Sequence, residues 1–176
     1  MSSHDETMDV DQILPNLFVG SCPGDMDDID SLATKFGITA VLNLQTDEDF
    51  ASWGVDWHEM ERAYQKSGVE LRRVPVQDFN PEELRRKIPA CVQALDGLLR
   101  AGHTVYVHCS AGMNRSPSTV VAYLHWVQGM GLDKAVEYVM KRHPSDPYVE
   151  AIRLATEDRV VEAEGMNTHT GWTGLT

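Results

Sequence analysis

The sequence predicts an α/β fold: one domain with a mostly parallel central sheet flanked by helices. Short apolar runs at 38–44, 70–76 and 103–107 alternate with longer stretches whose apolar residues recur every three or four positions. Gly and Pro fall between these runs as turn signals, with no repeat and no linker-like block. A chain of 176 residues, 42% hydrophobic and 24% charged, suits one domain with a substantial core.

Taken in order, residues 1–10 are polar and acidic and read as a flexible N-terminal tail, with the domain spanning 11–163. Residues 13–20 carry apolar side chains around Pro15-Asn16, the pattern of a short hairpin or edge strand. Met26, Ile29, Leu32, Ala33 and Phe36 give residues 25–36 one buried helical stripe, closed by Gly37. The 38–44 run alternates too little for a half-exposed strand and reads as a buried one. Residues 46–67 are the least regular, with Trp53, Trp57 and Tyr64 among charges and Asp56 as a cap for a helix to about 66. After the 70–76 strand, Asn80-Pro81-Glu82-Glu83 is a helix start, an Asx cap followed by proline and carboxylates. That helix is expected to run to about 100, and further helices over 117–128, 132–142 and 146–163. Residues 164–176 lack periodicity and read as a C-terminal tail.

Fifteen Lys and Arg against 27 Asp and Glu leave a net charge of −12, which argues against nucleic acid or an anionic membrane as partner. No apolar run is long enough to span a bilayer. The three cysteines, Cys22, Cys91 and Cys109, fit neither a fully paired disulfide framework nor a zinc pattern, so a reducing compartment is expected. Cys91 lies among core positions; a redox bridge between Cys22 and Cys109 stays open as an alternative. A monomer is expected, with no cofactor and no metal.

The chemistry is concentrated in His108-Cys109-Ser110-Ala111-Gly112-Met113-Asn114-Arg115-Ser116, between the 103–107 strand and the helix that follows. A strand-to-helix loop aims successive backbone N–H groups and a helix N-terminus at one point, which binds phosphate-like anions. A cysteine at its mouth is stabilised there as the thiolate nucleophile, and Arg115 can hold two phosphate oxygens through its fork. Thus Cys109 is the expected nucleophile, Ser110, Ala111, Gly112, Met113, Asn114 and Arg115 the phosphate-binding loop, and Ser116 a donor to the departing thiolate or a helix cap. An alkoxide leaving group needs a general acid from another loop at the same end of the sheet. Asp78, just after the 70–76 strand, is the first choice, with a helix-cap role as the plainer reading. Asp47, Glu48 and Asp49 are weaker candidates.

Cys-x5-Arg with a central Gly and a following Ser resembles the dual-specificity branch of the cysteine-dependent phosphatases. The segments 37–46 and 102–109 resemble the glucan phosphatases, the laforin and plastidial starch-excess and like-starch-excess type. Gly20-Ser21-Cys22-Pro23, Trp53-Gly54-Val55-Asp56, Asp78-Phe79 and Trp126-Val127-Gln128-Gly129 resemble the same family, over about residues 13–160. The resemblance implies a dual-specificity-phosphatase-like domain that hydrolyses phosphate monoesters on starch- or glycogen-like glucans. It implies a plastid location if the source is a plant or alga, and a cytoplasmic one otherwise. It also implies a glucan-binding channel lined with aromatics, to which Phe79 and Trp53 carry over by position. Trp53 is equally readable as a half-buried packing residue. Arg72 and Arg73 are glucan-binding candidates or simply solvated charges. Asn114 stands where that family usually has Gly, and it supports the alternative substrate class, phosphoserine, phosphothreonine and phosphotyrosine in proteins. A third reading is a weakly catalytic phospho-binding scaffold.

Overall fold

The computed structural model describes residues 8–169, and the expected tails fall largely on residues 1–7 and 170–176, outside them. Twelve elements occur among the described residues: β1 (Val10–Leu14), β2 (Leu17–Gly20), α1 (Met26–Phe36), β3 (Ala40–Asn43), α2 (Asp47–Trp53) and α3 (Trp57–Ser67), then β4 (Glu70–Arg73), α4 (Pro81–Arg100), β5 (Val105–His108), α5 (Arg115–Trp126), α6 (Leu132–Arg142) and α7 (Val149–His169). The sheet order is β1-β2-β5-β3-β4. β1 pairs antiparallel with β2, the expected hairpin, and the other neighbours are parallel.

Strand residues alternate between two cores. Leu17, Val19, Leu42, Val105 and Val107 face α4, α5, α6 and α7, while Phe18, Val41 and Tyr106 face α1 and α3. Covered on both faces, β2, β3 and β5 are buried throughout, which is why their sequences read as unbroken apolar runs. The two edge strands, β1 and β4, keep partly exposed patterns.

Helix ends follow local chemistry. Asp25, Asp56 and Asn80 each accept a hydrogen bond from the backbone N–H three residues on. Gly37 and Gly68 close α1 and α3 with positive φ, where a Cβ would be strained. The irregular stretch 46–67 becomes two helices, because Thr46 and Asp49 form a reciprocal capping box that starts α2. The third strand is shorter than expected: β4 ends at Arg73, ahead of Pro75, which has no N–H for the ladder. α7 starts at Val149, later than expected, and continues through 164–169, where the sequence reading had a tail. Among the described residues no helix is long and apolar enough to cross a membrane.

This topology levels the carboxyl ends of the parallel strands. Gly20, His108 and Asn43 are register partners, and Asn43 pairs in turn with Arg73. The loops after β2, β5, β3 and β4 therefore emerge side by side, as expected for a ligand site in an α/β sheet.

Candidate active site

The loop from Cys109 to Asn114 leaves β5 and enters α5 at Arg115. Its carbonyls are held from outside. Ser110 O accepts from the Cys22 N–H at 2.9 Å and Met113 O from the Asp146 N–H at 2.8 Å. Gly112 O lies 2.6 Å from His143 Nε2. In a trans peptide the N–H opposes the C=O, and no peptide bond among the described residues is cis. With these three carbonyls turned outward, the N–H groups of Ala111, Met113 and Asn114 point the other way, into the loop. That is the anion nest expected from the sequence. Gly112 has φ 74°, and a Cβ there would come within 2.6 Å of Gly20 C, so neither its backbone angle nor its space admits a side chain.

Arg115 is 1% exposed. Its Nη1 donates to Asp49 Oδ2 at 2.7 Å and to Val76 O at 2.8 Å. Its Nη2 donates to Asp49 Oδ1 at 3.2 Å and to Ser110 Oγ at 3.3 Å, and lies 3.0 Å from Asp78 Oδ2. Nε is buried with no protein partner among the described residues, which leaves a donor for a phosphate oxygen. Burial opposes the Arg115 charge, but the Asp49 hydrogen bonds and the nearby Cys109 raise its pKa above the ordinary value. Burial likewise works against the Asp49 charge; Arg115 and Thr46 outweigh it and hold the carboxyl below the usual carboxylate range. Asp49, a weaker acid candidate in the sequence, is thus the anchor of Arg115. The capping box that begins at Thr46 was the available signal for it.

Cys109 is 2% exposed, and its Sγ lies 3.2 Å from Ser116 Oγ. Ser116 also reaches Gly20 O at 3.2 Å. The one hydroxyl proton can serve the carbonyl while Cys109 is a thiol, and swing to sulfur when it is a thiolate. Asp78 follows β4, with its side chain 27% exposed at the mouth. Its Oδ1 accepts from the Phe79 N–H at 3.0 Å, and Phe79 takes φ 54°, the one positive value among described non-glycine residues. The turn presents Phe79 to solvent at 82% exposure. Strain of this kind persists where the surrounding structure enforces it.

The other candidates are placed as follows. Trp53 ends α2, 51% exposed. Arg72 on β4 pairs with Glu70 at 3.3 Å. Arg73 is already engaged: it donates to Gln45 O at 3.0 Å and Asp47 at 2.8 Å, and lies over the Phe50 ring, itself stacked on Trp57. Asn114 donates its side-chain N–H to Asp146 O at 2.7 Å. Cys22 is half-buried, and burial with the Cys109 charge pushes its thiol up to about 11. Cys91 is core, pushed up to about 12 by burial. Among the described residues no group of three or more His, Cys, Asp or Glu is placed to hold a metal.

His108 is buried beneath the loop. Because Cys109 O only accepts, its contact at 2.9 Å puts the ring proton on Nδ1. Nε2 has no protein partner among the described residues, and His108 lines a cavity of about 10 Å³ with Asn43 and Gln45, room for about one water. Burial lowers the His108 pKa from 6.5 to about 4, so the folded protein holds it neutral while the unfolded chain takes up a proton below 6.5. Stability is therefore complete above pH 6.5 and declines as pH falls toward 4, by about 3 kcal/mol in all. Denaturant melts between pH 7 and 5 should show this slope in the wild type and a flatter one in His108→Gln. Equal slopes would remove His108 as its source.

Residues 17–152 match the model for the dual specificity phosphatase catalytic domain. The chain is 36% identical over 172 residues to the chloroplastic phosphoglucan phosphatase LSF1 of Arabidopsis thaliana, covering 95% of this chain and 29% of that protein. It is 34% identical over 160 residues to laforin of Mus musculus, covering 85% of this chain and 48% of that protein. The chain thus spans less than half the length of each of these two relatives. The crystal structure of PTPMT1 superposes with a TM-score of 0.70 at 22% identity, over 88% of this chain and 99% of that one, a likeness of fold. With the matched segment running from β2 into α7 through the whole phosphate loop, the chain belongs to the dual specificity phosphatase catalytic domain family.

Proposed function

We propose that this domain hydrolyses phosphate monoesters carried on glucans through a cysteinyl-phosphate intermediate. The phosphate sits on the loop N–H groups, held by Arg115. Cys109 Sγ attacks phosphorus; the P–O bond to the sugar breaks and its electron pair leaves on the sugar oxygen, which takes a proton from Asp78. Asp78, now a carboxylate, removes a proton from the water that attacks the S–P bond, and inorganic phosphate departs. Ser116 donates to the sulfur as it leaves. The observation that carries the chemistry is the convergence of nucleophile, arginine and acid at one strand edge, with Arg115 Nη2 3.0 Å from Asp78.

The glucan preference draws on likeness to a phosphoglucan phosphatase and to laforin, and on two exposed aromatics, Phe79 on the turn that carries Asp78 and Trp53 at the end of α2. A sugar ring presents an apolar face that such rings can cover. The net charge of −12 also suits a neutral polymer bearing sparse phosphates better than an acidic phosphoprotein. Arg72 and Arg73 already have acidic partners, so the positive potential for phosphate rests on Arg115 and the loop amides. Phosphoprotein is the second reading, favoured by Asn114 in the loop. The domain is proposed to work as a monomer without nucleic acid, membrane or metal, and in a plastid if its source is a plant or alga.

Solubilised amylopectin should release phosphate faster than phosphopeptides do, and Cys109→Ser should release none from either. A phosphopeptide rate equal to that on amylopectin would overturn the glucan assignment. Asp78→Ala should slow alkyl phosphates about a hundredfold, the usual worth of a general acid, and aryl phosphates far less. Equal losses on both would take Asp78 out of that role. Phe79→Ala and Trp53→Ala should each cost about tenfold on amylopectin, the equivalent of losing one ring contact, and leave a small aryl phosphate unaffected. Losses of the same size on both substrates would make these rings packing residues.

A further inference from the structure

His143 lies just past α6, outside the catalytic motif, and is 2% exposed. Its Nδ1 is 2.7 Å from Asp11 Oδ2 on β1, and its Nε2 is 2.6 Å from Gly112 O in the phosphate loop. A carbonyl has only lone pairs to offer, and so does an ionised carboxylate. A neutral imidazole has one N–H and can serve only one of them. Both contacts form as hydrogen bonds when both ring nitrogens carry protons. The other way to satisfy both is a protonated Asp11 donating to a neutral ring. Imidazole is the stronger base of the two, which places the shared proton on the ring.

We infer that His143 is a positioning residue: an imidazolium, paired with Asp11, that pins the crown of the phosphate loop. Two residues just after it in the chain complete the brace. Ser145 donates to His143 O at 2.9 Å, and Asp146 takes Met113 O and the Asn114 side chain. Consecutive loop residues 112–114 are thereby tied to the 143–146 segment, and β1 is tied to the same point. Holding Gly112 O outward aims the Met113 N–H inward at the phosphate. The charge also sets one cation directly behind the anion site, in a chain of net charge −12.

In the ¹⁵N NMR spectrum of the wild type at pH 7, both His143 ring nitrogens should appear protonated; one protonated nitrogen overturns the imidazolium. His143→Ala should raise the inhibition constant for inorganic phosphate about tenfold, as for a lost charged hydrogen bond, measured well below its own, lowered, melting temperature so that the protein is folded. His143→Gln, whose amide reaches the Nε2 position, should recover part of that loss, while Asp11→Asn should weaken phosphate in the same direction. A folded His143→Ala with unchanged phosphate inhibition overturns the positioning role. The inhibition arm rests on the phosphatase reading and the NMR arm does not, so the failure of either is distinguishable from the failure of that reading.

Discussion

The bidentate pair between Arg115 and Asp49 is the interaction on which the site depends. Both side chains are withdrawn from water, and burying charges is costly unless they are matched. Removing either partner from such a pair typically costs about 3–5 kcal/mol, because the other charge is left buried and alone. What the pair supplies is position. Asp49 also accepts from Ser110 and Thr46, Ser110 accepts from Gln45, and Arg115 reaches Val76 O and Asp78. One guanidinium thus joins α2 to the loops after β4 and β5 around the candidate anion site. Its Nε and the loop N–H groups are left for the anion.

The loop itself is shaped from outside. Its carbonyls are taken by residues from the β2–α1 segment, from His143 and from Asp146, and the planarity of the peptide turns those contacts into inward-facing donors. Gly20 and Gly112 meet where neither can carry a side chain: a Cβ on Gly20 would overlap Asp9 O at 1.8 Å. The close approach of β2 to the loop is therefore a condition of the nest as well as of the sheet. Ser116, between Gly20 O and Cys109 Sγ, uses that approach to hold the hydroxyl that steadies the sulfur.

Substrate-facing chemistry is sparse beside this machinery. Phe79 is exposed on a strained turn that also carries Asp78, so the candidate acid and an exposed aromatic share one turn. Arg73, by contrast, is spent on Phe50, Trp57 and Asp47, bracing α2, which carries Asp49.

The order of strands and helices was legible because each element has its own caps and periodicity, and α2 escaped only because Thr46 and Asp49 were not read as a box. Cys109, Arg115 and Ser116 were legible because a phosphate nest is built from consecutive backbone and must be contiguous in the chain. Asp78 was legible as a carboxylate at the end of a strand. Partnerships were not. Asp49 is 66 residues from Arg115, and His143 is 31 from Gly112. Local pattern says nothing of which distant side chain will meet a buried charge. By itself the sequence determined the fold class and marked the candidate nucleophile, arginine and acid; only the tertiary structure decided what holds them, because a desolvated charge or carbonyl takes whatever partner the packing of separate elements brings to it.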